Sequence, residues 1–277
     1  MIKGPGLFSE IGKKAKDLLT RDYSYDQKFT VSTYSGDVGV GLISTAVKKG
    51  GLSTGDIAVQ YKYKNHIIDV KVDTESNISS TLIFSEIVPS TKTIVTFKLP
   101  DYNSGKLEVQ YFHEHATITS AVARKNQSPT LDLTGTIGNS TFAIGGETSY
   151  DTSSGNFTKY TAAIGVTNAE SSASIILADK GDMLTASYVH HVDHLKSAGV
   201  AEISRRFSTN ENTFTVGASY AIDPMTVMKM RLNNYGKLGA LLQHELKPKS
   251  TLTISGEFDT KALDKNPRFG LALALKP

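Results

Sequence analysis

From Tyr25 to its end, the chain alternates apolar and polar residues with a period of two, and no other feature limits its fold so sharply. In Ile57-Ala58-Val59-Gln60-Tyr61-Lys62-Tyr63-Lys64, apolar and aromatic residues alternate with Ala, Gln and Lys. In Ile68-Asp69-Val70-Lys71-Val72-Asp73 every second residue is charged. Leu107, Val109 and Tyr111 alternate with Lys106, Glu108 and Gln110, and Leu252, Ile254 and Phe258 oppose Thr251, Thr253, Ser255 and Glu257. Turn residues separate the runs, as at Lys49-Gly50-Gly51, Asn103-Ser104-Gly105, Lys180-Gly181-Asp182 and Tyr235-Gly236. Side chains on a strand point alternately to its two faces, so this pattern predicts successive antiparallel hairpins. Roughly nineteen candidate strands fit between residue 25 and the end, each about 13 residues with its turn.

Alternation alone suits a soluble sheet as well as a membrane barrel. Long, numerous strands with short turns favour the barrel, because sandwich strands are usually about 5–6 residues. The polar face carries Thr, Ser, Gln, Lys and Asp along whole strands, as a water-filled lumen permits. In lipid every backbone amide must be paired, so such a sheet must close. A soluble lipocalin-like or solenoid β-protein is the competing architecture.

Before the strands comes one helix. Leu7, Ile11, Ala15 and Leu18 recur at helical spacing, with Lys13, Lys14 and Lys16 on other faces. Residues 1–21 hold Lys3, Lys13, Lys14, Lys16 and Arg21 against Glu10 and Asp17, and the whole chain has net charge +3. All excess charge therefore sits on this segment, and the remainder is neutral. A net +3 is too small to argue for nucleic acid. No apolar run approaches the ~18 residues of a membrane helix. Met1-Ile2-Lys3-Gly4-Pro5-Gly6 is not followed by the apolar stretch of a secretory signal, so the expectation is a protein that is made in the cytosol and is delivered from it or stays there. There is no cysteine, which removes disulfides and thiolate metal sites. With no tryptophan, an aromatic belt must come from the 12 tyrosines and 11 phenylalanines.

No catalytic set can be assembled. His113 and His115 stand two apart, and His190, His191 and His194 cluster, but no matched carboxylate accompanies either group. These read as strand-end and loop histidines. Gly138, Gly145, Gly146 and Gly165 form no phosphate loop and read as strand bends. The expectation is a protein with no catalytic residue, no metal and no cofactor.

Three stretches carry a resemblance. Gly4-Pro5-Gly6-Leu7, Glu10 to Leu19 and Arg21-Asp22-Tyr23 look like the N-terminal helix of mitochondrial porins. The segment from Tyr220-Ala221-Ile222-Asp223-Pro224 through Arg231-Leu232-Asn233-Asn234 to Leu242 is similar to the family's signature, with Met230 where a smaller residue is usual. Arg268-Phe269-Gly270-Leu271-Ala272-Leu273-Ala274-Leu275 resembles the polar-x-Gly-x-x-hydrophobic-x-hydrophobic insertion signal of mitochondrial outer-membrane barrels, with Arg268, Gly270, Leu273 and Leu275 at its marked positions. The chain thus resembles the voltage-dependent anion channel (mitochondrial porin) family, plant members especially.

The resemblance implies an all-β transmembrane barrel of 19 strands with one parallel closing pair, joining the region of Phe29 to that of Leu273, and a helix inside the pore. With the residue pattern, which reads as one domain, it gives a helix and linker, 1–24, followed by a continuous barrel, 25–277. It implies a voltage-gated, weakly anion-selective channel of the mitochondrial outer membrane, passing ions and small metabolites such as nucleotides. A polypeptide-translocating barrel of the same fold and a soluble β-sheet binding protein are the rivals. Lys13, Lys16 and Arg21 match helix positions and would place positive charge in the path. Lys62, Lys71, Lys98, Lys229 and Arg231 fall on polar faces and would add to it, although Asp69, Asp132 and Glu257 share that face. Membrane lipid and small anions are the expected partners, and a homo-oligomer is left open. Two departures stand out: Val70 occupies the place of a membrane-facing acid in animal members, and Ser90-Thr91-Lys92 replaces Gly-Leu-Lys.

Overall fold

The computed structural model describes residues 4–125, 128–192, 197–262 and 266–276. Among these residues one short α-helix, α1 (Lys13–Thr20), precedes nineteen strands. The first ten are β1 (Gln27–Ser35), β2 (Val40–Lys49), β3 (Leu52–Tyr63), β4 (His66–Asp73), β5 (Ile78–Ser85), β6 (Thr91–Leu99), β7 (Lys106–Phe112), β8 (Ala116–Lys125), β9 (Ser128–Gly138) and β10 (Phe142–Asp151). The rest are β11 (Asn156–Thr167), β12 (Ser171–Ala178), β13 (Met183–Val192), β14 (Ser197–Arg206), β15 (Glu211–Asp223), β16 (Thr226–Asn233), β17 (Lys237–Lys247), β18 (Ser250–Asp259) and β19 (Arg268–Leu275).

Each strand pairs antiparallel with its neighbours in sequence, and the ends meet. An odd number of alternating strands leaves the first and last pointing the same way, so they can only pair parallel. β1 and β19 do so, with Phe29 opposite Leu273, as the family resemblance implies. The sheet has no free edge, which satisfies the backbone where water is absent.

Register sorts the side chains into two faces. On one face Val59 lies opposite Leu42 and Val70, and Tyr61 opposite Val40 and Ile68. On the other, Gln60 lies opposite Gly41 and Asp69, and Ala58 opposite Ile43 and Lys71. The apolar face is bare: Ile57, Leu133, Ile203, Phe214 and Leu271 are all about half exposed. Every strand but β5 contributes an exposed large apolar side chain to this band, far beyond the few hundred Å2 of contiguous apolar surface that soluble monomers tolerate. Lipid covers such a face, and a soluble binding protein does not fit it. A water-soluble maleimide is therefore expected to label Lys62→Cys and to spare Tyr61→Cys in membranes. Equal labelling of these adjacent positions would refute the register.

The N-terminal segment departs from the expected single stripe of Leu7, Ile11, Ala15 and Leu18. Phe8–Glu10 forms a 3-10 turn, where Glu10 Oε2 accepts from the Leu7 N–H at 3.3 Å. Gly12 then takes a left-handed conformation at φ 76° and resets the helical phase. The buried pair in α1 is consequently Ala15 and Leu19, four residues apart, with Leu18 half-buried beside them. Eight residues are too few for a stable isolated helix, so packing must hold α1. Ala15 and Leu19 pack on Val189 of β13 and Val200 of β14, which face each other across the two strands on the polar side of the wall. The helix thus lies inside the barrel.

Candidate functional site

The N-terminal segment runs around half of the inner wall, and glycines make room for it. A Cβ on Gly145 of β10 would meet the Gly135 carbonyl of β9 at 2.5 Å and Phe8 Cδ2 at 2.9 Å, and one on Gly165 of β11 would fall 3.1 Å from Ile11 Cγ2. On Gly217 of β15 it would meet Leu19 Cδ2 at 2.8 Å, and on Gly239 of β17 the Tyr23 ring at 3.3 Å. On Gly270 of β19 it would collide with the Ser24 carbonyl. Gly145 and Gly165 are thus not the strand bends expected from sequence: the irregularity in β10 lies at Ser149/Tyr150. They are seats for Phe8 and Ile11.

Arg231 closes the far end of this track. It stands on β16 opposite Gly217 and Gly239, and Gly239 in turn stands opposite Glu257 of β18. Its Nη1 donates to the Leu19 carbonyl at 2.6 Å. Nη2 donates to the Tyr25 hydroxyl at 2.7 Å and to Glu257 Oε2 at 3.1 Å. The guanidinium lies 4.4 Å from the centre of the Tyr23 ring. Tyr25 donates its own proton to Glu257 Oε2 at 2.8 Å, and Ser255 Oγ donates to the Ser24 carbonyl. The last carbonyls of a helix have no partner within it and favour a cation, and Arg231 supplies one. Tyr23 lies in the linker between α1 and β1; burial pushes its phenol up to about 12 against the opposing pull of Arg231, so the ring stays neutral. Beside this group, Lys229 Nζ approaches Asp22 Oδ2 at 3.4 Å.

The other predicted cations divide into paired and unpaired. Lys71 on β4 faces the lumen 3.0 Å from Asp56. Lys62 on β3 and Lys98 on β6 share that inner face, and neither has an ion pair among the described residues. Lys106 pairs with Glu108 at 2.8 Å and Lys159 with Glu147 at 2.7 Å, so much of the wall charge is cancelled locally. On α1, Lys13, Lys14 and Lys16 are exposed. Among the described residues Arg21 has one ion pair, with Asp17 at 3.7 Å, an exposed contact worth roughly 0.3–0.5 kcal/mol. A cavity of about 720 Å3 opens between the N-terminal segment and the wall, with Lys13, Lys14 and Lys92 at its lining beside Gln110, Asn139 and Thr141.

The histidines do not converge. His190 and His191 point to opposite faces, with His190 stacked on Tyr188 in the outer band. His194 lies outside the described residues. His113 and His115 form a ring pair at 6.2 Å with no third ligand among the described residues. At the chain's end, Arg268 and Gly270 face inward opposite Glu257 and Ser255, while Leu273 and Leu275 face outward beside Phe29 and Val31. Val70 also faces outward, flanked by Val59 and Ser80.

Sequence reasoning missed Tyr23, Tyr25 and Glu257 as partners of Arg231. It also missed the signal that marks them: on β15 and β17 glycine takes the inward phase where other strands carry polar side chains.

The model of the eukaryotic porin family matches residues 4–270. The chain is 62% identical to mitochondrial outer membrane protein porin 2 of Arabidopsis thaliana, over 100% of both chains. It is 63% identical to mitochondrial outer membrane protein porin 5 of Oryza sativa subsp. japonica, over 100% of this chain and 99% of the relative. The outer plastidial membrane protein porin of Pisum sativum is 49% identical over 100% of both. Among solved structures, a triple mutant of the Rh. blastica porin aligns with a TM-score of 0.50 at 9% identity, over 80% of this chain and 89% of that one. That likeness concerns the fold alone.

Proposed function

The chain belongs to the eukaryotic porin family, and on that premise we propose that it is a voltage-gated, weakly anion-selective channel of the mitochondrial outer membrane. Ions and small metabolites, nucleotides among them, cross it by diffusion. The observation that carries this reading is the closed 19-strand barrel, apolar outside and polar inside, with a cationic segment on its inner wall.

Selectivity follows from where the unpaired charge lies. Wall cations such as Lys71, Lys106 and Lys159 are matched by neighbouring carboxylates, and each pair is close to neutral at a distance. Lys13, Lys14 and Lys16 are exposed on the helix, and low-dielectric walls focus their field across the lumen. Anions meet a lower barrier there and cations a higher one. Voltage acts on the same charges. One charge moved through the full potential gains about 2.3 kcal/mol per 100 mV, so three charges crossing part of it bias a two-state equilibrium of a few kcal/mol. No residue is assigned a catalytic role.

Proteoliposomes test the permeation directly. Vesicles carrying the refolded chain and loaded with a nucleoside triphosphate and a large dextran should release the nucleotide and keep the dextran. Retention of both would refute the channel, and release of both would mean a leak in place of a pore.

A further inference from the structure

We infer that Arg231 is the positioning residue of the gating segment: it latches the C-terminal end of α1 and the following linker to the barrel wall, and its charge is spent on docking, not on conduction. The inference rests on the channel reading above and deepens it.

Four contacts converge on one guanidinium. It binds the Leu19 carbonyl, the Tyr25 hydroxyl and the Glu257 carboxylate, and it faces the Tyr23 ring. Three of these partners belong to residues 19–25 and one to the wall, so the group is a bridge between two bodies. Its side chain is only 22% exposed, and that of Glu257 only 17%. The pair is therefore largely withdrawn from the path, and Glu257 cancels its field. A planar fork with five donors suits three acceptors and an aromatic face at once; an ammonium on a flexible stem does not. Gly217 and Gly239 flank the residue at the same level, and a Cβ on Gly239 would lie 2.9 Å from Arg231 Nε. Gly239 thus leaves room on the wall for this side chain and Gly217 for Leu19 at the helix end.

A latch of this kind sets the balance between a docked and a released segment. Breaking it should favour release without changing what the open pore prefers. The double variant Arg231→Gln with Glu257→Gln keeps the net charge of the lumen and removes the bridge. Arg231→Lys keeps the charge and removes the fork.

Both variants are compared with the wild-type chain in two measurements. In planar bilayers the half-closing voltage should fall in both, while the reversal potential across a potassium chloride gradient stays at the wild-type value. In membranes, the buried Ala15, changed to Cys in each background, should react with a water-soluble maleimide about tenfold faster, as loss of a charge-assisted hydrogen bond implies. Wild-type labelling and gating in both variants would overturn the latch. So would a shifted reversal potential with unchanged gating, which would make Arg231 an ordinary pore charge. The labelling reads docking without conduction, so a wild-type chain that never conducts would sink the channel reading on its own evidence.

Discussion

Exchanging Lys13, Lys16 and Arg21 together for glutamate should shift the channel's preference from chloride toward potassium. Residues 1–21 hold the whole net charge of +3, and reversing three cations turns that into −3. All three positions are exposed, and none is tied into the Arg231 group. Reversal therefore acts on the field in the lumen more than on docking. Screening gives the experiment an internal control. The Debye length is about 10 Å at 0.1 M salt and about 3 Å at 1 M, so the shift should be large in dilute potassium chloride and small in concentrated. The closing voltage should change as well, because the sign of the mobile charge is reversed. A reversal potential equal to wild type at 0.1 M would place selectivity on the barrel wall alone.

Replacing Leu273 with arginine should block membrane assembly, while the same change at Ala274 should leave it nearly intact. The two residues are adjacent and lie on opposite faces of β19. Leu273 faces lipid at the parallel seam, against Phe29 of β1 and Leu252 of β18. Ala274 faces the lumen between Thr30 and Thr251. A cation on the lipid face costs about 2–4 kcal/mol near the bilayer midplane, a factor of roughly 30 or more in an equilibrium. The seam is also the weakest place to incur that cost, since it is joined by only five register pairs where β1 and β2 have nine. Assembly yields into isolated mitochondria compare the variants, and equal yields would contradict the assignment of faces.

The strands were legible because a sheet between lipid and water must alternate, and this chain alternates from β1 to β19. The faces of Tyr61, Lys62, Val70 and Leu273 all follow from that period. The parallel seam came from the family resemblance, and the odd strand number demands it. Less legible was everything that depends on contacts between distant parts of the chain. Leu19 and Arg231 are 212 residues apart, and Tyr25 and Arg231 are 206 apart. In the sequence Arg231 reads as one more inward cation, indistinguishable from Lys62 or Lys98. Its partners emerge only when β16 is brought under the helix. The break at Gly12 was hidden for a related reason. Leu7, Ile11, Ala15 and Leu18 fit one helical stripe on paper, and only the wall decides that Phe8 and Ile11 drop into Gly145 and Gly165 while Ala15 and Leu19 take the valines. Glycines at inward positions of neighbouring strands are the trace that such a berth leaves in a sequence.

In the function proposed above, this barrel is an open, water-filled path biased toward anions by the segment inside it. The reversal potential of the refolded wild-type chain in a planar bilayer, across a tenfold gradient of potassium chloride, tests it most directly. The expected result is stepwise conductance, a reversal potential with the sign of a chloride-preferring pore, and a fall in conductance as the voltage is raised. A bilayer that stays silent, or steps that reverse at the sign of a potassium-preferring pore, would contradict it.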